Sequence, residues 1–208
     1  HLEELSYVTD DYEAVVSGRP QIARLYRNHF CPYPRDRDDE NIRVLITTQP
    51  FTDDIRTEFT LSVFHAIAAS DRDIEPAIKL HPREDDDFYS ELLARNGYSA
   101  EIRSEGLVEL MTAVDLVVTI DSNTGIEAIA TGTPSVSVNF WNTLIRSSPY
   151  IESGPIDVLS SRGEVRSFFE DISLKRLKRQ YNRQLTYVKE EYELTASPTE
   201  TVHGLLSE

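Results

Sequence analysis

The residues best suited to chemistry fall in one run, Asp121-Ser122-Asn123-Thr124-Gly125-Ile126-Glu127. Hydroxyl, amide and glycine residues here open a helix directly after the apolar run Leu116-Val117-Val118-Thr119-Ile120. The first amides of a helix lack intrahelical acceptors, and the helix dipole places partial positive charge on them. Such a turn binds phosphate without any lysine. Gly125 lets a ligand approach the backbone closely, and Glu127, about one turn into the helix, could accept hydrogen bonds from a ribose diol. The same residues also make an ordinary Ser/Asn N-cap with Glu127 as a carboxylate favoured by the dipole. Spacing alone does not separate the two readings.

Other polar residues follow apolar runs: Thr47-Thr48-Gln49-Pro50, His81-Pro82-Arg83 and Asn139-Phe140. Arg83 could pair a phosphate bidentately or pair with Glu84 or Asp85. Other chemistries are poorly supplied. Cys31 is the only cysteine, so an internal disulfide and a multi-cysteine zinc site are excluded. His29 lies near it, but adjacency in sequence is not a catalytic geometry. The five histidines (His1, His29, His65, His81 and His203) are scattered, so no metal site is expected. There is no Gly-x-Ser-x-Gly elbow and no Walker loop. Trp141 could stack on a base or sugar, although packing is the more common fate of tryptophan.

The elements that must position these residues read as alternating strands and helices. Strands are expected at Arg43–Gln49, Ala77–His81, Ser99–Arg103 (weak), Leu116–Ile120 and Pro134–Val138. Between them fall a helix with Ile55, Phe59, Val63 and Ile67 on one stripe and a helix from Phe88 to Arg95 ended by Asn96-Gly97. A short stripe of Leu107, Leu110, Met111 and Val114 follows, then a helix from Thr124 to Thr131 closed by Gly132. The fold class is therefore α/β, a Rossmann-like doubly wound parallel sheet over roughly residues 42–170. A helix is expected from Gln21 to Asn28. A long amphipathic C-terminal helix is expected over residues 172–192, with Ile172, Leu177, Tyr181, Leu185, Val188 and Tyr192 on or near one stripe. In an open parallel sheet, ligands bind at the carboxyl ends of the strands. All the polar segments named above lie there.

Composition narrows the function further. The 208 residues carry a formal net charge of -15, which repels phosphate backbones and argues against nucleic-acid binding. No apolar run approaches the ~18 residues of a membrane span, and no signal peptide is visible at the start. Of the 21 basic residues only Lys79, Lys175, Lys178 and Lys189 are lysines, leaving 17 arginines. Acid-rich, lysine-poor chains resemble those of salt-loving microbes, where self-repulsion is screened; a surface that avoids anionic partners is the other reading. The acidic clusters Arg35–Glu40 and Glu84–Asp87 read as solvated surface, the second as the first turn of a helix. Positive charge concentrates only on the C-terminal helix, in Lys175, Arg176, Lys178, Arg179 and Arg183. Its functional reading is a peripheral contact with an anionic membrane, and its plainer reading is a solvated or salt-bridged face.

Three segments together, Ile78-Lys79-Leu80-His81-Pro82, Asp115 through Ala128, and Gly132-Thr133-Pro134-Ser135-Val136, resemble the C-terminal, donor-nucleotide-binding half of a GT-B-type glycosyltransferase. They are also similar to UDP-N-acetylglucosamine 2-epimerases and to the CDP-glycerol glycerophosphotransferases of cell-wall polymer synthesis. Val16-Ser17-Gly18-Arg19-Pro20 resembles the interdomain crossover of these proteins. The resemblance implies residues 1–41 as a remnant of the N-terminal domain plus crossover, 42–171 as the donor-binding domain, and 172–208 as a C-terminal helix and tail. It implies His81 as the catalytic residue facing the donor phosphates or sugar. Thr48, Gln49, Arg83, Ser122, Asn123, Thr124, Gly125 and Glu127 would bind the donor nucleotide, the turn holding the diphosphate and Glu127 the ribose. The implied activity is metal-independent transfer of a glycosyl or glycerophosphoryl group from a donor such as a UDP-sugar or CDP-linked compound, in surface polysaccharide or glycoconjugate synthesis. No cofactor is implied beyond that donor. Location would be cytoplasmic, at the inner face of the membrane if the basic helix meets lipid. The family has two Rossmann domains and this chain has room for one. The acceptor domain, with the catalytic base, is expected elsewhere in a longer protein or on a separate subunit, and this piece alone is expected to be inactive. The epimerase pattern has two consecutive glutamates where Ile126-Glu127 stands, and an arginine-rich segment where Asn139-Phe140-Trp141-Asn142 stands, which makes the epimerase the alternative. A non-catalytic Rossmann-like module that docks a partner through its C-terminal helix is a further alternative.

Overall fold

One six-stranded parallel sheet organises the fold, and three of its interior strands are buried on both faces. The computed structural model describes residues 19–34, 41–141 and 154–191. The strands are β1 (Ile42–Thr47), β2 (Ile74–Lys79), β3 (Glu101–Ile102), β4 (Leu116–Thr119), β5 (Ser135–Val138) and β6 (Asp157–Leu159), in the order β3-β2-β1-β4-β5-β6. All five pairings are parallel. Chain order reverses between β1 and β4, which makes that junction the topological switch point.

The described helices are α1 (Pro20–His29), α2 (Asp53–Ala68), α3 (Asp86–Arg95), α4 (Leu107–Ala113), α5 (Thr124–Thr131), α6 (Arg162–Glu170) and α7 (Leu174–Glu191). Strand alternation sorts the core. Val44, Ile46, Leu116 and Val118 belong to a large cluster with α1, α2, α6 and α7. Leu45 and Val117 instead meet Leu110, Met111, Val114 and Ala128 in a smaller cluster under α4 and α5.

Two elements lie beyond the expected pattern. The second strand is expected at Ala77–His81, yet β2 spans Ile74–Lys79 and runs through Pro76, a residue without an amide to donate. The reason is that β3 pairs only with Ala77 and Ile78, so no ladder partner lies beside Pro76 on that side. The pair β6 and α6 is the other addition. Ser161 caps α6 by accepting from the Glu164 amide at 3.2 Å, and Val165, Phe168 and Phe169 are buried.

The long helix α7 is built into the core rather than standing apart. Leu177, Tyr181 and Val188 are buried. Gln184 accepts from the Ser135 amide at 3.1 Å, and both Gln180 and Gln184 donate to the Ser135 carbonyl, at 3.0 and 2.7 Å. The β5–β6 ladder begins only at Val136, so the two glutamines complete the hydrogen bonding of Ser135. On the basic face, Arg183 pairs with Asp157 at 2.6 Å, and Arg176 lies 4.9 Å over the Phe168 ring and 3.7 Å from Asp171. Among the described residues, no helix is long and apolar enough to cross a membrane. Tyr192, the Arg35–Glu40 cluster and the crossover residues 16–18 lie outside the described residues.

Candidate functional site

The dipeptide Thr48-Gln49, just past β1, joins two halves of the rim. Thr48 is buried, and its Oγ1 accepts from the His81 amide at 3.1 Å while donating to Glu84 at 2.6 Å. Gln49 Nε2 donates to the Asp121 carbonyl at 2.9 Å, immediately before Ser122. One strand end therefore holds the His81 turn on one side and the Ser122–Glu127 segment on the other, across the switch point. Thr48 is committed to the protein itself, whereas Gln49 Oε1 is buried with no hydrogen-bond partner among the described residues. Thr119 Oγ1, at the end of β4, and Asn139 Nδ2, just past β5, are likewise buried and unpaired. Unsatisfied buried polar atoms are uncommon in native proteins, and here three sit at the carboxyl ends of three adjacent strands.

The His81 turn is tightly specified. Glu84 N donates to the His81 carbonyl at 2.9 Å, closing the turn over Pro82 and Arg83. The Arg83 amide donates to His81 Nδ1 at 3.2 Å. An Nδ1 that accepts a hydrogen bond places the proton of the neutral ring on Nε2, so His81 offers Nε2 as a donor. The Arg83 side chain is exposed.

The acidic cluster that follows divides in an unexpected way. Asp85 caps α3 by accepting from the Phe88 amide at 3.4 Å, and Asp86 and Asp87 are exposed in its first turn. Glu84 is different: its side chain is only 1% exposed. Its carboxylate accepts from Thr48, from Tyr89 OH at 2.6 Å, from Arg56 Nη1 at 3.4 Å and from the His81 amide at 3.3 Å. The reading of Glu84 as solvated surface is corrected by these four donors, which replace water. Burial is the main cause that raises the Tyr89 pKa above the usual phenol value, with the bond to Glu84 second.

On the other side of the switch point, α5 opens with its polar atoms engaged locally. Ser122 Oγ accepts from the Thr124 amide at 3.2 Å and lies 2.9 Å from Thr124 Oγ1, while the Gly125 amide donates to the Ser122 carbonyl at 3.1 Å. The amides expected to be free are thus capped by a serine hydroxyl and a carbonyl. Gly125 is buried, and the reason is packing. A Cβ there would lie 2.7 Å from Ile156 Cδ1 and 3.3 Å from Ser135 Oγ. Glu127 is half-buried, and burial raises its pKa above the ordinary carboxylate value against the opposing charge of Arg19.

Two residues that sequence reasoning left unassigned reach this segment from the start of α1, Arg19 at its N-cap and Gln21 in its first turn. Both terminal nitrogens of Arg19 donate to Asn123 Oδ1 at 3.2 Å, and Gln21 Nε2 donates to Glu127 Oε1 at 2.8 Å. Arg19 falls inside the crossover-like segment, which was its only sequence signal. Trp141 is buried, its amide bonded to Asn139 Oδ1 at 2.9 Å, and its ring lies 5.2 Å from that of Phe140. A cleft of about 660 Å³ lined by Asn41, Ile42, Arg72 and Leu174 lies at the opposite end of β1 and holds none of the candidate residues. Among the described residues, no group of His, Cys, Asp or Glu is placed to hold a metal ion.

Comparison with solved structures places this fold. UDP-GlcNAc 2-epimerase from Neisseria meningitidis bound to UDP-GlcNAc aligns with a TM-score of 0.62 at 17% identity, over 93% of this chain and 55% of that one. The chain has the fold of one half of a GT-B enzyme. The wall teichoic acid polymerase TagF, soaked with CDPG, aligns at TM-score 0.56 and 12% identity, over 89% of this chain and 44% of its own. An α,α-trehalose 6-phosphate synthase from Burkholderia multivorans aligns at 0.56 and 12%, over 91% and 49%. The chain therefore spans about half the length of the structures it matches. No protein-family model and no curated protein matches it. Within this half-fold, the candidate residues occupy the carboxyl edge of β1, β2 and β4, the edge where open α/β sheets bind ligands.

Proposed function

We propose that this chain is the donor half of a two-domain enzyme that binds a nucleoside-diphosphate-activated donor and transfers its glycosyl or glycerophosphoryl group during synthesis of a surface polymer or glycoconjugate. The observation that carries the reading is the Thr48-Gln49 tie, which puts the His81 turn and the Ser122–Glu127 segment on one rim at the switch point. Its setting agrees: solved structures of the same half-fold include one bound to UDP-GlcNAc and one soaked with CDPG.

In this reading the Ser122–Thr124 turn takes the diphosphate. The Ser122 hydroxyl rotates away from the Thr124 amide, which then joins the hydroxyls in binding phosphate oxygens. Glu127 accepts from the ribose after release of Gln21. His81 Nε2 donates to the phosphate or sugar, where negative charge grows as the nucleotide leaves, and Arg83 and Arg19 supply nearby positive charge. The acceptor and the catalytic base belong to the other half.

The test is thermal. A ligand at 100 times its Kd stabilises the native state by about 2.7 kcal/mol, which for a chain of this size raises Tm by roughly 5–10 °C. UDP or CDP at millimolar concentration is expected to give such a shift. No shift with either nucleotide counts decisively against the proposal. In the full two-domain protein, formation of the 2-epimer from UDP-N-acetylglucosamine would identify the epimerase alternative instead. Docking through the long helix is disfavoured, because the apolar stripe of α7 is already buried against this chain's own core.

A further inference from the structure

We infer that Glu84 is the positioning residue of His81. This rests on the proposal that His81 contacts the donor, but the contact network itself does not. Glu84 is a dry carboxylate, 1% exposed, directly beneath the His81 turn. Its Oε1 takes Tyr89 OH from α3 and Arg56 Nη1 from α2, and its Oε2 takes Thr48 Oγ1 from the β1 end and the His81 amide. Arg56 is itself fixed, stacked 4.0 Å over the Phe88 ring and paired with Asp53. One side chain thus clamps the turn to two helices and a strand. The turn in turn aims the ring, because the Arg83 amide that meets His81 Nδ1 belongs to the same turn.

The carboxylate is chemically required. Two of its four donors are N–H groups that can only donate, Arg56 Nη1 on one oxygen and the His81 amide on the other. A glutamine in its place must turn its own NH₂ toward one of them, so Glu84→Gln breaks the clamp in either orientation.

The experiment combines amide exchange with UDP binding. In the wild-type chain, the His81 and Arg83 amides are expected to be protected. Glu84→Gln should accelerate both about tenfold or more while Val118 in β4 stays protected, the signature of local opening. Asp85→Ala removes the neighbouring α3 cap and should leave both unchanged. If Glu84→Gln does not fold, Glu84→Asp keeps the charge and withdraws it from the His81 amide, with the same expected local acceleration. Unprotected His81 and Arg83 amides in the wild type, or amides indifferent to both substitutions, overturn the inference.

UDP titrations then separate this inference from the donor reading. Glu84→Gln should weaken UDP binding about tenfold or more, as His81→Ala does, and the double variant should be no weaker than His81→Ala alone. Losses that simply add would mean that Glu84 does not act through His81. If the wild-type chain binds no UDP, the donor reading fails, and amide exchange still decides the role of Glu84.

Discussion

Gly125 offers a direct contest between two explanations of one residue. Near a nucleotide cradle, a glycine suggests close approach of a ligand. The structure gives it a packing reason: a Cβ would stand 2.7 Å from Ile156 Cδ1, 3.3 Å from Ser135 Oγ and 3.7 Å from Thr119 Cγ2. Ordinary carbon contacts lie at about 3.5–4.0 Å, so Gly125→Ala forces Ile156 to retreat by roughly 1 Å. Ile156 is only 3% exposed and packs in the main core cluster. Ser135 Oγ is held by its 3.0 Å bond to the Gly125 carbonyl. Overpacking by one methyl group costs about 1–3 kcal/mol, and the better helix propensity of alanine returns about 1 kcal/mol, leaving a net loss of up to about 2 kcal/mol. Ile156→Val alone costs about 0.5–1.5 kcal/mol by leaving a small cavity. In the Gly125→Ala background it removes the clashing atom instead, so the pair should couple favourably by about 1–2 kcal/mol. Urea unfolding of the wild type, the two single variants and the double variant measures this. Strict additivity would falsify the packing argument. So would a Gly125→Ala chain of unchanged stability that binds UDP less well, because the glycine would then be serving the ligand.

Three further outcomes are expected. Gly132 closes α5 at φ +105°, and a Cβ there would lie 1.8 Å from the Cys31 carbonyl oxygen, a backbone atom with no rotamer to yield; Gly132→Ala should cost about 4–5 kcal/mol, the top of the single-substitution range, read as a collapse of the urea midpoint. Gln184→Ala deprives the buried Ser135 amide of its acceptor and should cost about 1–3 kcal/mol in the same assay. Glu127 has its pKa raised by burial, so the folded state holds the proton more tightly than the unfolded one, and stability falls as pH rises from the ordinary glutamate value through the raised one. Glu127→Gln removes that dependence, so its stability relative to wild type should increase across that window, and a relative stability flat with pH would contradict the burial argument.

Most of the fold was legible because its periodicity is local. Leu116–Thr119 opens with three consecutive apolar residues and is buried throughout, and α5 is bounded as written, from Thr124 to a left-handed Gly132. The elements that went unread were short or edge-bound. β6 has three residues, Asp157–Leu159, too few for any period to register. α6 did carry a signal, Ser161 three residues before Glu164, followed by Val165 and the Phe168-Phe169 pair. The site was legible as a set of strand ends, but its internal assignments were not. Thr48 and Gln49 look alike as polar rim residues, yet one is buried in the His81 network and the other bridges to Asp121. Glu84 cannot be told from Asp85, Asp86 and Asp87 by composition. What buries it are Thr48, Arg56 and Tyr89, two of them about thirty residues away in sequence.

The same long-range ties explain how a chain of net charge -15 could hold an anionic group. At physiological ionic strength the Debye length is about 8 Å, so distant carboxylates are screened and the groups in contact decide. The segment carrying Ser122, Asn123 and Glu127 is braced at both ends by the α1 region. Arg19 and Gln21 bond its start, and the Cys31 amide bonds the Thr131 carbonyl at its end at 3.0 Å. The glutamines of α7 fix Ser135, whose hydroxyl in turn holds the Gly125 carbonyl. Bracing at both ends holds the backbone of the cradle in place, so the Ser122 hydroxyl and the Gln21 side chain are what must move when an anion arrives. Arg19 has a second property: it sits on the segment that resembles an interdomain crossover while touching the cradle through Asn123. In the proposed two-domain enzyme, movement at Arg19 relative to the sheet would break or remake its contact with Asn123, so this arginine would couple donor binding to the placement of the other half.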